Sequence, residues 1–130
     1  PKGVWNKDDV LTLNLPENEA AASVVMKPSA SREGPKVPLT TIDKLVAELN
    51  LERVDFIKMD IEGAEVPALE GARETLKRWR PRMALAAYHK PDDPETIPAM
   101  ARVAVSDYNV VCGPCADVGS SIRPDVLYFY

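Results

Sequence analysis

Asp55-Phe56-Ile57-Lys58-Met59-Asp60-Ile61-Glu62-Gly63-Ala64-Glu65 is the stretch around which this chain is organised. Phe56, Ile57 and Met59, interrupted by one lysine, read as a buried strand. The second half places three carboxylates and a glycine at the strand's carboxyl end, where a helix begins. In open α/β sheets, ligands sit in the crevice outside the carboxyl ends of the strands. An acidic cluster at such a turn is a site candidate on that ground alone.

Working outward, Thr40 opens a helix with Asp43 three positions on, a variant of the capping box, and Ile42, Leu45, Val46 and Leu49 mark its apolar face. After the acidic turn, Val66, Leu69, Ala72, Leu76 and Trp79 recur at helical spacing. Pro67 fits the first turn of that helix, where the N–H has no intrahelical partner. Lys77, Arg78 and Arg80 suit the negative end of its dipole, and Pro81 closes it. Met83 to Tyr88 reads as a second buried strand ending at His89. Asp92 to Val105 reads as a third helix, with Ile97, Met100, Ala101 and Ala104 inward. Val110–Cys112 and Val126–Phe129 close the chain as two strands joined by a turn-rich loop.

Upstream, Gly3–Trp5 and Val10–Leu15 read as a β-hairpin across the polar turn Asn6–Asp9, and Pro16 ends it. Residues 17–26 are ambiguous. Residues 27–38 carry Pro28, Gly34, Pro35 and Pro38 and read as a mobile surface loop. The expected organisation is therefore a hairpin over 1–16, a loop over 27–38 and an α/β unit over 40–130. The order of elements predicts an α/β fold with a mostly parallel sheet and an antiparallel edge strand.

The totals are those of one globular domain: 130 residues, 45% hydrophobic and 28% charged. A net charge of -4 gives no reason to expect a nucleic acid or an acidic membrane as partner. No run of apolar residues is long enough to span a bilayer, and no signal peptide opens the chain, so the expected address is the cytoplasm. The chain opens at Pro1 directly into strand-like sequence, as a fragment or processed piece would.

Asp60, Glu62 and Glu65 can bind a polar ligand, hold a divalent cation or take a proton from a hydroxyl. The plainer reading is helix capping, worth roughly 0.3–1 kcal/mol per carboxylate, and it suffices for Glu65. Three carboxylates with a glycine between them exceed it, which favours Asp60 and Glu62 as functional. His89 is the only histidine. It ends the next strand, within reach of the acidic turn, and a histidine is the natural general base near neutral pH; the plainer reading is a strand-end residue bonded to a loop. Lys90 is expected to face solvent. Cys112-Gly113-Pro114-Cys115 matches a redox tetrapeptide, but the residues after it make a poor helix, and one C-x-x-C supplies only half of a structural zinc site. No G-x-S-x-G elbow, P-loop or G-x-G turn occurs.

Thr40-Thr41-Ile42-Asp43-Lys44-Leu45, followed by the Asp55–Glu65 stretch, resembles the FkbM-type S-adenosylmethionine-dependent methyltransferases. Leu69-Glu70-Gly71-Ala72, Tyr88-His89 and the opening Lys2-Gly3-Val4-Trp5 extend the resemblance over nearly the whole chain. It implies the C-terminal half of a Rossmann-like class I methyltransferase domain, whose last strand runs antiparallel. The family's glycine-rich cofactor turn would precede Pro1, so this chain alone is expected to be inactive. S-adenosylmethionine is the implied cofactor, with Gly3 near its adenine and Asp60 at its amino-acid end. Asp60, Glu62 and His89 are the implied catalytic residues, with His89 deprotonating a hydroxyl of a sugar or natural product. The resemblance assigns no metal and implies a small-molecule or glycan acceptor.

Two other classes stand beside it. A metal-dependent hydrolase would use Asp60, Glu62 and His89 as ligands. A non-catalytic interaction domain would cover an exposed sheet edge with a partner or a second copy, as a homodimer.

Overall fold

A computed structural model describes residues 1–15, 22–25, 32–117, 119 and 122–130. Pro16, residues 17–21, Met26 and residues 27–31 of the expected loop lie outside the described residues.

The chain opens with β1 (Gly3–Val4), β2 (Asp9–Leu15) and β3 (Arg32–Thr40). The hairpin expected between the first two strands does not form. β3 inserts between them, antiparallel to β2 and parallel to β1, in the order β1-β3-β2. Trp5 N–H accordingly donates to Thr40 O at 2.7 Å. The loop reading of residues 27–38 is corrected with it, because 32–38 belong to β3. Its prolines are tolerated for two reasons. β1 reaches only Leu39 and Thr40, so over residues 32–38 a missing N–H can sit on the unpaired side. Gly34 and Pro35 fall where the register shifts opposite Thr12–Asn14, a bulge that needs no regular pairing.

Helix α1 (Ile42–Glu48) starts one residue later than its sequence indicates. Thr40 ends β3, and Thr41 is the N-cap, its Oγ1 accepting from Lys44 N–H at 3.0 Å. Asp43 does not complete a capping box; it serves another helix. After β4 (Phe56–Met59), the expected single helix is two, α2 (Glu65–Glu70) and α3 (Arg73–Trp79). The break falls at Gly71, whose carbonyl accepts from Asp43 N–H at 3.0 Å. Asp43 Oδ1 then accepts from Thr75 N–H and Oγ1 at 2.8 and 2.6 Å, and Oδ2 from Glu74 N–H at 3.1 Å. A carboxylate inserted from α1 thus starts a new helix at the positive end of α3. Gly71 is required there: a Cβ would lie 2.1 Å from Trp5 O.

The second sheet has the order β4-β5-β9-β6, with β5 at Arg82–Ala86, β6 at Val110–Cys112 and β9 at Val126–Phe129. Helix α4 (Asp93–Ala104) links β5 to β6, and a small antiparallel pair, β7 (Cys115–Asp117) and β8 (Ile122–Pro124), links β6 to β9. Only the β4–β5 pairing is parallel; β9 runs antiparallel to both neighbours. The expectation of a mostly parallel sheet with an antiparallel edge strand is corrected to a mixed sheet whose antiparallel strand lies inside it. The reason is burial. β9 carries Leu127 and Phe129, both buried, whereas β6 ends in two exposed residues and takes the rim.

Met59, Met83, Leu85, Leu127 and Phe129 project from one face of this sheet into a core closed by Ala68, Leu69, Leu76, Ile97 and Ala101 of the helices. Each large side chain among them is worth about 1.5–3 kcal/mol of burial. Phe56 and Tyr128 stand exposed on the other face. No helix among the described residues is long and apolar enough to cross a membrane. The core holds the carboxyl ends of β4 and β5 side by side, and the site is built there.

Candidate functional site

β4 ends at Met59, and the chain then turns through two residues with left-handed backbone, Glu62 (φ 54) and Gly63 (φ 88), before α2 begins. A Cβ in that conformation costs roughly 1–2 kcal/mol, so Gly63 is well placed and Glu62 is held under strain. Two contacts hold the turn. Ser23 Oγ donates to Glu62 O at 2.7 Å. Glu65, fully buried at the start of α2, accepts from Ile61 N–H through Oε1 at 2.9 Å. Glu65 thus braces the turn; it does not cap α2, whose N-cap, Ala64, has no side-chain cap bond.

β5 leaves its ladder one residue after Ala86, where Ala87 N–H donates to Asp125 O at 2.9 Å. Tyr88 and His89, expected inside or at the tip of this strand, instead sit beyond it and face the acidic turn. The His89 side chain is 4% exposed and lies among three carboxylates. Its Nε2 is 3.5 Å from both Asp60 Oδ1 and Glu62 Oε2, and its Nδ1 is 3.3 Å from Glu65 Oε1. These contacts are close enough for ion pairing, yet none is aligned as a hydrogen bond. Both ring nitrogens, and Glu65 Oε2, are buried without a hydrogen-bond partner. Buried polar atoms left in this way are costly and call for an explanation.

Around this centre, the Tyr88 hydroxyl donates to Asp60 Oδ1 at 3.1 Å. Burial first, then this hydrogen bond and the charges of Asp60, Glu62 and Glu65, push the Tyr88 phenol above its ordinary range. It is therefore a neutral donor near pH 7 and no base. Lys90, expected to face solvent, donates through Nζ to Gly63 O and so ties the two loops together. Lys90 N–H donates to Asp93 Oδ2 at 2.6 Å, which starts α4.

Asp60 and Glu62 also line a cavity of about 270 Å³ whose other walls include Gly3, Val4, Ser23 and Leu39. Its lining is largely apolar, with Asp60 and Glu62 the acidic members. A second cavity, about 350 Å³, shares Asp60 and lies against Phe56, Tyr88 and Tyr128. Of the four residues singled out from the sequence, Gly3, Asp60 and Glu62 line the first cavity; His89 lines neither cavity but lies 3.5 Å from both Asp60 and Glu62. Cys112 and Cys115 are free thiols, both exposed, and contribute nothing to it.

Three participants escaped the sequence reading as parts of the site: Tyr88, Glu65 as the neighbour of His89 Nδ1, and Asp93, whose carboxylate comes within reach of Glu65 and His89. Tyr88 adjoins the histidine, and that adjacency was the available signal. Glu65 and Asp93 each sit in the first turn of a helix, where a carboxylate already has a sufficient local explanation.

The model of the methyltransferase FkbM domain matches residues 2–109. Among solved structures, the chain is similar to the methyltransferase FkbM from Methylobacillus flagellatus KT, with a TM-score of 0.63 and 24% identity. That likeness covers 99% of this chain and 27% of the other, so the present chain spans about a quarter of the length of its relative. No curated protein matches it.

Proposed function

Because the chain belongs to the FkbM methyltransferase family, we propose that the protein containing it transfers a methyl group from S-adenosylmethionine to a hydroxyl oxygen of a sugar or natural-product acceptor. The observation that carries the reading is a buried histidine with two unpartnered ring nitrogens, set among carboxylates at the carboxyl ends of β4 and β5. That is where α/β folds place their ligands. The strand β9, antiparallel to both neighbours, supports the Rossmann-like class I architecture, whose last strand runs antiparallel.

S-adenosylmethionine supplies a methyl group on a positively charged sulfur, which departs as a neutral thioether. The residues present fit part of such a ligand. The cavity beside Asp60 combines the carboxylates of Asp60 and Glu62 with apolar walls, and Gly3 lies on its lining. Gly3 and Asp60 would hold the cofactor. Glu62 and His89 would orient the acceptor and receive its hydroxyl proton as the new carbon–oxygen bond forms. Positioning for in-line displacement supplies much of the acceleration.

The test is methyl transfer by the full-length protein from radiolabelled S-adenosylmethionine to a panel of hydroxylated acceptors. Replacing His89 with Ala lowers the rate by at least about tenfold, the low side of general acid–base effects. An unchanged rate in a folded variant removes His89 from the reaction.

A further inference from the structure

We propose that Asp60, Glu62 and His89 bind a divalent transition-metal cation, and that its open side takes the acceptor hydroxyl as a ligand. The inference builds on the methyl-transfer reading for the identity of that hydroxyl; the ion site itself stands on geometry.

One donor atom from each of the three residues lies within 4.8 Å of the other two. His89 Nε2 is 3.5 Å from Asp60 Oδ1 and 3.5 Å from Glu62 Oε2. Two ligand atoms on one ion, at bonds of about 2.0–2.2 Å and tetrahedral angles, lie roughly 3.4 Å apart. The nitrogen-to-oxygen spacings are thus those of ligands sharing an ion. They are too long, and too poorly aligned, for hydrogen bonds.

The second observation concerns His89 alone. Its side chain is 4% exposed, and both ring nitrogens lack a hydrogen-bond partner. Nε2 points among the carboxylates, where a cation would satisfy it and offset the repulsion between Asp60 and Glu62. Nδ1 faces Glu65 Oε1 at 3.3 Å. A metal-ligating histidine usually presents its other ring N–H to a carboxylate, which fixes tautomer and ring orientation. Glu65 is 1% exposed and anchored by Ile61 N–H, so it is fixed in place for that role.

An imidazole with two carboxylates suits Mn²⁺, Fe²⁺ or Zn²⁺ better than Mg²⁺ or Ca²⁺, which favour all-oxygen sites. Asp60 and Glu62 are 39% and 27% exposed, so the cluster is sealed on the His89 side and open on theirs. A hydroxyl bound on the open side becomes more acidic, as metal-bound water does, and its proton leaves to water at the exposed Asp60. With the ion bound, His89 serves as a ligand that orients it instead of as the base, and the acidified hydroxyl gives its proton directly to water.

The experiment is a Mn²⁺ titration of the full-length protein, followed by the electron paramagnetic resonance signal of the free ion. One ion is expected per chain. Asp60→Asn and His89→Gln should each weaken binding at least tenfold, with the circular dichroism spectrum unchanged. Asp60 is half-exposed, so its variant tests the site without loading the core. Glu65→Gln should weaken binding by about 10- to 100-fold while keeping an acceptor for Ile61 N–H. No binding at millimolar Mn²⁺, or binding unaltered by both Asp60→Asn and His89→Gln, overturns the site.

Methyl transfer in the same samples separates the two readings. Ion binding lost in these variants, with no methyl transfer by the wild type, keeps the site and sinks the proposed reaction. Full-rate transfer after chelation sinks the role of the ion and keeps the reaction.

Discussion

Glu62 is the one site residue whose backbone and side chain pull in opposite directions, and replacing it by Gly and by Ala separates them. Its φ of 54 is left-handed, where a Cβ costs roughly 1–2 kcal/mol. Glycine removes that cost but adds about 0.5–1 kcal/mol of chain entropy lost on folding. Glu62→Gly should therefore match or exceed Glu62→Ala in stability, by about 0–1.5 kcal/mol, the difference of those two ranges. At a position with ordinary negative φ the order is reversed, and glycine is the poorer residue by about 0.5–1 kcal/mol. The Ser23 hydrogen bond goes to the Glu62 carbonyl, so both variants keep it and it cancels from the comparison. The assay is urea unfolding of the two variants side by side. Both lose the carboxylate beside His89 Nε2, so both should fall at least tenfold in methyl transfer whatever their stability. The result that refutes the reasoning is a glycine variant less stable than the alanine variant by 0.5 kcal/mol or more. The turn would then be unstrained, and holding Glu62 against His89 would carry no conformational cost.

Two further outcomes bear on the frame of the site. Asp43→Ala leaves Thr75 and Glu74 N–H and Thr75 Oγ1 without their acceptor at the start of α3. It should cost about 1.5–3 kcal/mol, the range for hydrogen bonds to a charged group, read as a lower unfolding midpoint with unchanged slope. Tyr108 is 3% exposed, donates to Pro81 O at 2.8 Å, and has its phenol pushed above its ordinary value of 10.0 by burial. A raised value in the folded state means that its stabilisation is complete below the unfolded value and drains away as pH climbs through the folded one. Wild type should therefore lose stability above about pH 10 more steeply than Tyr108→Phe, while at pH 7 the Phe variant is the weaker by about 1–3 kcal/mol for its unpaired carbonyl. Denaturation midpoints across that pH range decide it.

Much of the molecule can be read from the chain alone, because its signals are local. The run ending in Asp60-Ile61-Glu62-Gly63 marks a strand and the turn after it. It does not mark a buried strand: only Met59 of β4 is buried, and Phe56, read as inward, is 57% exposed on the open face of the sheet. The periodicity of Ile97 and Ala101 marks a helix face, and the order of elements marks an α/β fold. Site candidates follow from the same locality: Asp60, Glu62 and His89 are polar groups at strand ends, and strand ends are where such folds place ligands.

What sequence could not supply is whatever depends on partners distant along the chain. Asp43 looks like the third residue of a capping box; only folding brings α3 to it and makes it the cap of a helix that begins thirty residues later. Residues 27–38 look like a proline-rich loop; from Arg32 on they are a strand because the short β1 leaves most of one side unpaired and a bulge absorbs Gly34 and Pro35. β9 could have been placed at the rim, but the burial of Leu127 and Phe129 sets it between β5 and β6. The arrangement at His89 is the clearest instance. A histidine beside acidic residues in a sequence says nothing of where its ring nitrogens point. The packing of β4 against β5 decides that: it buries the ring, removes water as a partner, and leaves Nε2 to the carboxylates and Nδ1 to Glu65.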